Sequence, residues 1–126
     1  MNTKQFLQIG GIVLIVVGIL GFAGLIGPTI EQSIFGAAWW FDNAENVAHL
    51  FLGIVAIVVL YLLPQTTHKP VVLLVGVVAL LFGLYSLFGE VQFLGANLQN
   101  PTDTVLHLVV GVWALYSALH KEGMTV

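Results

Sequence analysis

Gln5–Ile30 reads QFLQIGGIVLIVVGILGFAGLIGPTI, 26 residues without one formal charge. A helix crossing a hydrocarbon core of about 30 Å needs roughly 20 mostly apolar residues, at a rise of about 1.5 Å each. This stretch is therefore long enough to span a bilayer by itself. It overruns the apolar region of about 7–15 residues in a secretory signal peptide and lacks an A-x-A-like cleavage site. The expectation is a retained first span. Outward from it, the intervals Glu45–Lys69, Lys69–Glu90 and Asp103–Lys121 enclose 23, 20 and 17 further uncharged residues. The expected spans are Phe6–Gly27, Ala44–Leu63, Val71–Gly89 and Asp103–His120. The predicted fold class is an all-α integral membrane four-helix bundle, one transmembrane domain covering residues 1–126.

Composition supports the same solvent. The chain is 59% hydrophobic and 7% charged, with a mean hydropathy of +1.03; soluble domains carry about 25% charged residues. Three Lys or Arg stand against six Asp or Glu, which with the absence of a basic run argues against nucleic acid as a partner. The lack of cysteine excludes disulfides, thiolate metal sites and cysteine nucleophiles together.

Charge also orders the ends. In a four-span chain Lys4, Lys69 and Lys121 fall on one side, and Glu31, Asp42, Glu45, Glu90 and Asp103 on the other. The positive-inside rule then places both termini and the Pro64–Pro70 loop in the cytoplasm. On the acidic side, Ile34-Phe35-Gly36-Ala37-Ala38-Trp39-Trp40-Phe41 suits the headgroup zone, where aromatic rings bury a body and wet an edge. A short helix lying in the interface is expected there. His68 and His120, beside Lys69 and Lys121, read as solvated or headgroup-facing.

Sliding the chain by 58 residues without a gap aligns Glu45-Asn46-Val47-Ala48-His49-Leu50-Phe51-Leu52-Gly53 with Asp103-Thr104-Val105-Leu106-His107-Leu108-Val109-Val110-Gly111. The same offset sets Val13 on Val71, Val17 on Val75, Gly18 on Gly76, Phe35 on Phe93 and Ala38 on Ala96. The acid–His–Gly triple carries the weight, because ionisable residues are rare in spans. It predicts two tandem two-helix repeats, residues 1–63 and 64–126, related by an axis along the membrane normal. His49 and His107 would share one depth. Gly18, Gly21, Gly24, Gly76, Ala79, Gly83 and Ser86 read as packing positions that let helix backbones approach.

The glycine-rich Gly18-Ile19-Leu20-Gly21-Phe22, the aromatic outer segment and the two acid–His–Gly stretches together make the chain resemble a family of small bacterial four-helix membrane proteins, catalogued as a domain of unknown function. Its members occur in cyanobacteria, actinobacteria and other bacteria. The resemblance implies the fold and a bacterial inner or thylakoid-type membrane. It implies no activity.

Glu45 with His49, and Asp103 with His107, are i,i+4 pairs that share a helix face. Several readings of them stay open. In the structural one they form a polar clamp stapling the acidic ends of the two repeats, with the acids favoured by the helix dipole and Asp42, Asn43 and Thr102 as caps. In another, His49 and His107 ligate a haem from both sides, or each holds a chlorophyll; Gly53 and Gly111 would leave the slot and Trp113 would flank the ring. A third gathers Glu45, His49, Asp103 and His107 into a two-His, two-carboxylate site for zinc or iron. A fourth is proton movement, for which the opposite half of each span supplies no charged member. No catalytic residue set is expected. The sequence thus points to a non-enzymatic accessory or structural subunit of a larger membrane complex, with lipid and other membrane subunits as partners. A cofactor-bearing subunit in an electron-transfer or light-harvesting assembly is the alternative.

Overall fold

A computed structural model describes residues 2–88, 92–93, 96–97 and 102–119. The chain is an all-α four-helix bundle: α1 (Thr3–Phe22), α2 (Asn43–Leu62), α3 (His68–Leu87) and α4 (Thr102–Leu119). Each helix is long and apolar enough to cross a membrane, which marks the chain as a multi-pass membrane protein. Glu90, His120 and Lys121 lie outside the described residues.

Local signals set the helix starts. Asn2 caps α1, its Oδ1 accepting the Gln5 N–H at 2.9 Å while Gln5 Oε1 accepts the Asn2 N–H at 3.1 Å. Asp42 and Glu45 repeat this reciprocal box at α2, at 2.9 and 3.4 Å. Two otherwise orphaned donors are satisfied at each start. Of the three caps expected at the acidic end, Asp42 takes that role, while Asn43 and Thr102 are the first residues of their helices.

Three boundaries differ from expectation by three residues or more, the first being the start of α1 at Thr3 rather than Phe6. α1 ends at Phe22 rather than Gly27, because Gly24 turns left-handed (φ 87°) and Leu25 and Ile26 both donate back to the Leu20 carbonyl. α3 begins at His68 rather than Val71, after a 3-10 turn over Gln65–Thr67, and takes Pro70 into its first turn. The amide that proline lacks there would have no intrahelical partner.

The connector between α1 and α2 does not form the expected interfacial helix. It holds two single 3-10 turns, Ile30–Gln32 and Gly36–Ala38. Ile34 donates to Leu25 O and Phe41 to Ile26 O, both at 2.8 Å, which folds the segment back on itself over the buried Ile26 and Phe41. Three short ring contacts then run in series, Phe35–Trp39, Trp39–Phe41 and Phe41–His49. Between α3 and α4, residues 92–93 pair antiparallel with 96–97.

α1 lies along α2, and α3 along α4, in two close hairpins; α1 makes sparser contacts with α3 and α4. Lys4 and Lys69 therefore mark one end of the bundle, and Glu31, Asp42, Glu45 and Asp103 the other. Phe6, Leu7, Val59, Leu60, Val72, Ala114 and Ala118 form the apolar core, and all of them belong to the basic half.

The buried positions recur between hairpins. In α2 and α4 they match at the offset of 58: Glu45 with Asp103, Asn46 with Thr104, Gly53 with Gly111, Val59 with Ser117 and Leu60 with Ala118. In α1 and α3 they match at 65 instead: Thr3 with His68, Leu7 with Val72, Gly11 with Gly76, Gly18 with Gly83 and Gly21 with Ser86. The gapless pairing of Gly18 with Gly76 is thus displaced by seven residues, about two helical turns. Two turns return a side chain to nearly the same face, so the slip preserves the buried stripe.

Candidate functional site

Polar residues gather at the acidic end, where the first turns of α2 and α4 meet. The reciprocal cap holds Glu45 in place, within electrostatic reach of Asp103 across the two hairpins. Both acids are withdrawn from the surface, at 5% and 1% exposure. Asp42 adds its charge to the same neighbourhood.

Beside these acids each hairpin carries its own polar clasp. Asn46, with no exposed surface, donates from Nδ2 to the Phe41 carbonyl at 3.3 Å and packs against Gly21. In the second hairpin the equivalent contact is Ser86 with Thr104, hydroxyl to hydroxyl at 2.6 Å. Ser86 also reaches the Phe82 carbonyl at 3.1 Å, so with Ser86 donating there Thr104 donates to Ser86. Thr102 ties α4 to the first connector through the Ala38 carbonyl at 2.8 Å.

One turn deeper, His49 and His107 are half-buried and lie within electrostatic reach of each other. Each imidazole meets an aromatic ring: His49 stands edge-on to Phe41 at 4.8 Å, and His107 is tilted on Phe82 at 5.7 Å. Both Nδ1 atoms are buried without a hydrogen-bond partner among the described residues. A ligating histidine almost always donates its other ring N–H to a carbonyl or carboxylate, which fixes its orientation. Among the described residues no such support is seen at His49, whereas the ring of His107 lies beside the backbone of Asp103, one turn before it. The slot expected beside them is filled by protein: a Cβ at Gly53 would lie 2.8 Å from the Gly11 carbonyl, and one at Gly111 2.6 Å from Leu80 Cγ. Trp113 packs edge-on to Phe6 at 4.5 Å, in the opposite half.

The four residues expected to form a metal site, Glu45, His49, Asp103 and His107, are brought to one region, but no three such side chains among the described residues group as metal ligands. The imidazoles face aromatic rings instead.

At the basic end His68 is buried, not solvated as expected, with Nε2 3.2 Å from the Val59 carbonyl of α2. This link between hairpins went unread because charge and proline around His68 suggest a loop. A cleft of about 440 Å³ opens at the acidic surface between Pro28–Glu31 and Trp40–Ala44. No protein-family model, curated protein or solved structure matches the chain.

Proposed function

We propose that the chain is a small structural or accessory subunit of a larger membrane complex, built as a duplicated helical hairpin. The observation that carries this reading is where its intramembrane polar groups are used. Asn46 packs on Gly21 of α1, Ser86 pairs with Thr104 between α3 and α4, His68 reaches the Val59 carbonyl of α2, and Glu45 and Asp103 lie within electrostatic reach of each other. Polar side chains in transmembrane bundles act as such staples, adding to close packing where lipid offers little hydrophobic drive between helices. The recurrence of buried positions at offsets of 58 and 65 supports a hairpin copied once, with connectors of different length. The apolar flanks of all four helices remain for lipid or neighbouring subunits, Phe51, Leu74, Leu81, Val109 and Val112 among them. Lys4 and Lys69 at one end support a cytoplasmic basic end in a bacterial membrane.

Extraction from native membranes in a mild detergent tests the reading. A stable assembly much larger than the 13.6 kDa chain, with defined protein companions, is expected. A homogeneous single-copy species without companions overturns it. The competing reading, haem or chlorophyll on His49 and His107, draws on their matched positions one turn inside the acidic end. It requires a visible absorption band from the same preparation that disappears in the H49A/H107A double variant.

A further inference from the structure

The cleft between Pro28–Glu31 and Trp40–Ala44 has fixed walls. Phe41 donates to the Ile26 carbonyl at 2.8 Å, and a Cβ on Gly27 would run into the Phe41 carbonyl. The volume of about 440 Å³ falls within the range of about 300–1,000 Å³ usual for small-molecule sites. Its polar lining offers oxygens that accept hydrogen bonds: the Thr29 hydroxyl, the Glu31 and Asp42 carboxylates and the Asn43 amide, beside the Trp40 indole. The Thr29 proton goes to Gln32 Oε1 at 3.1 Å. Asp42 Oδ1 accepts the Glu45 N–H at 2.9 Å, and a carboxylate has about four acceptor positions.

Among the described residues the chain brings no cation to meet these groups. It has no arginine, and Lys4 and Lys69 stand at the opposite end of the bundle. Nor does the hairpin repeat call for this lining. At the offset of 58, Trp40 falls on Leu98 and Asp42 on Asn100, while Glu31 meets Gly89 at 58 and Ala96 at 65. The buried packing positions recur; the groups that line the cleft do not.

A second set of residues says at what depth the cleft lies. Leu25, Ile30, Ile34 and Phe35 are exposed apolar side chains of the same connector, following the exposed Phe22 at the end of α1. A connector that leaves one span and enters the next with such an edge sits among lipid headgroups.

We infer that the cleft is a site for a lipid headgroup that ends in a primary ammonium.

Such a group has three N–H donors and one positive charge. The carboxylates of Glu31 and Asp42 accept the donors and balance the charge, and the face of the Trp40 indole attracts the same cation. The positive end of α2 lies in one wall. It disfavours a bare cation and suits a zwitterion, whose phosphate is drawn toward the first turn of the helix. A choline headgroup has no N–H to give to the carboxylates, and an anionic headgroup meets two like charges. The site needs no companion protein, so it stands or falls apart from the subunit reading.

The test is competition among lipids. The full chain is released for native mass spectrometry from micelles holding equal amounts of phosphatidylethanolamine, phosphatidylcholine and phosphatidylglycerol with the same acyl chains. Retention of the ethanolamine lipid several-fold over each of the others is expected. E31Q, at an exposed position, should weaken that preference, and E31Q/D42N should abolish it. Asparagine caps a helix as well as aspartate does, so the double variant should unfold in detergent at the same point as the unsubstituted chain. Equal retention of the three lipids overturns the proposal, and so does a preference that survives in E31Q/D42N. Glycerophosphoethanolamine, the headgroup without its chains, should displace the lipid only in large excess; displacement at equal concentration would assign the cleft to a soluble amine and overturn the lipid. A spin label at I34C in nanodiscs of the same lipids reads depth without touching the acids. Oxygen should relax it more than a water-soluble nickel chelate does, and the reverse would put the connector out of reach of a headgroup and overturn the site.

Discussion

Asn46 presses its carboxamide onto Gly21, at the place where any side chain on that glycine would have to go. The second hairpin puts a hydroxyl pair, Ser86 and Thr104, in the same position. Two chemically different clasps thus occupy one site, a large side chain on none in the first hairpin and a small one on a small one in the second.

Gly21→Ala should therefore destabilise the chain, by about 1–3 kcal/mol as overpacking of an interior usually does. The G21S/N46T double variant, which transplants the clasp of the second hairpin, should recover most of that loss. Unfolding in a detergent titration measures both. Equal damage from the two variants would show that the hairpins are not equivalent at this site.

In the second hairpin Ser86 donates to the Phe82 carbonyl, which leaves Thr104 to donate in the hydroxyl contact whenever that bond is made. Thr104→Val should cost stability and Thr104→Ser very little. A double-mutant cycle with Ser86→Ala should give a coupling near 0.6 kcal/mol and no more than about 1.7 kcal/mol, the range found for hydrogen bonds between transmembrane helices. A coupling of zero would remove the clasp as a source of stability.

The four spans were legible because they depend on charge-free length, a property that packing cannot alter. The recurrence of an acid four residues before a histidine was legible for a related reason: such residues are so rare in spans that their repetition stands out, although which faces of the two helices turn inward was not. The register of α1 on α3 was missed. Lys4 with Lys69, Gly11 with Gly76 and Gly18 with Gly83 carry that signal at an offset of 65. A gapless comparison locks onto 58, and only unequal connectors allow both offsets at once. The early end of α1 was hidden differently, since an apolar run through Ile26 does not reveal that Gly24 turns left-handed. His68 was misread because residues beside lysine and proline look like surface, whereas here the helix begins one turn sooner and draws the ring inward.

Sidedness gives a labelling prediction. With the basic end cytoplasmic, a single cysteine at Thr66, in the exposed turn before α3, should react with a membrane-impermeant maleimide only after the cells are opened. One at Thr29, exposed in the first connector, should react in intact cells. The opposite pattern would invert the proposed orientation and leave the fold untouched.

Phe6 and Trp113 tie α1 to α4, one from each hairpin, edge to face at 4.5 Å within the basic core. Phe6→Ala should remove an aromatic contact worth about 0.5–1.5 kcal/mol beyond its buried area, and it should do so between hairpins rather than within one. Gly53→Leu acts on the other kind of contact, forcing α1 and α2 apart where the Gly11 carbonyl and Ile15 fill the space. In a W39F/W40F background, which leaves Trp113 as the one indole, the two variants should then separate in fluorescence. Phe6→Ala alters its emission directly, whereas Gly53→Leu changes it only as the whole bundle unfolds. Identical emission in native protein and Phe6→Ala would mean that this ring contact does not hold the hairpins in solution.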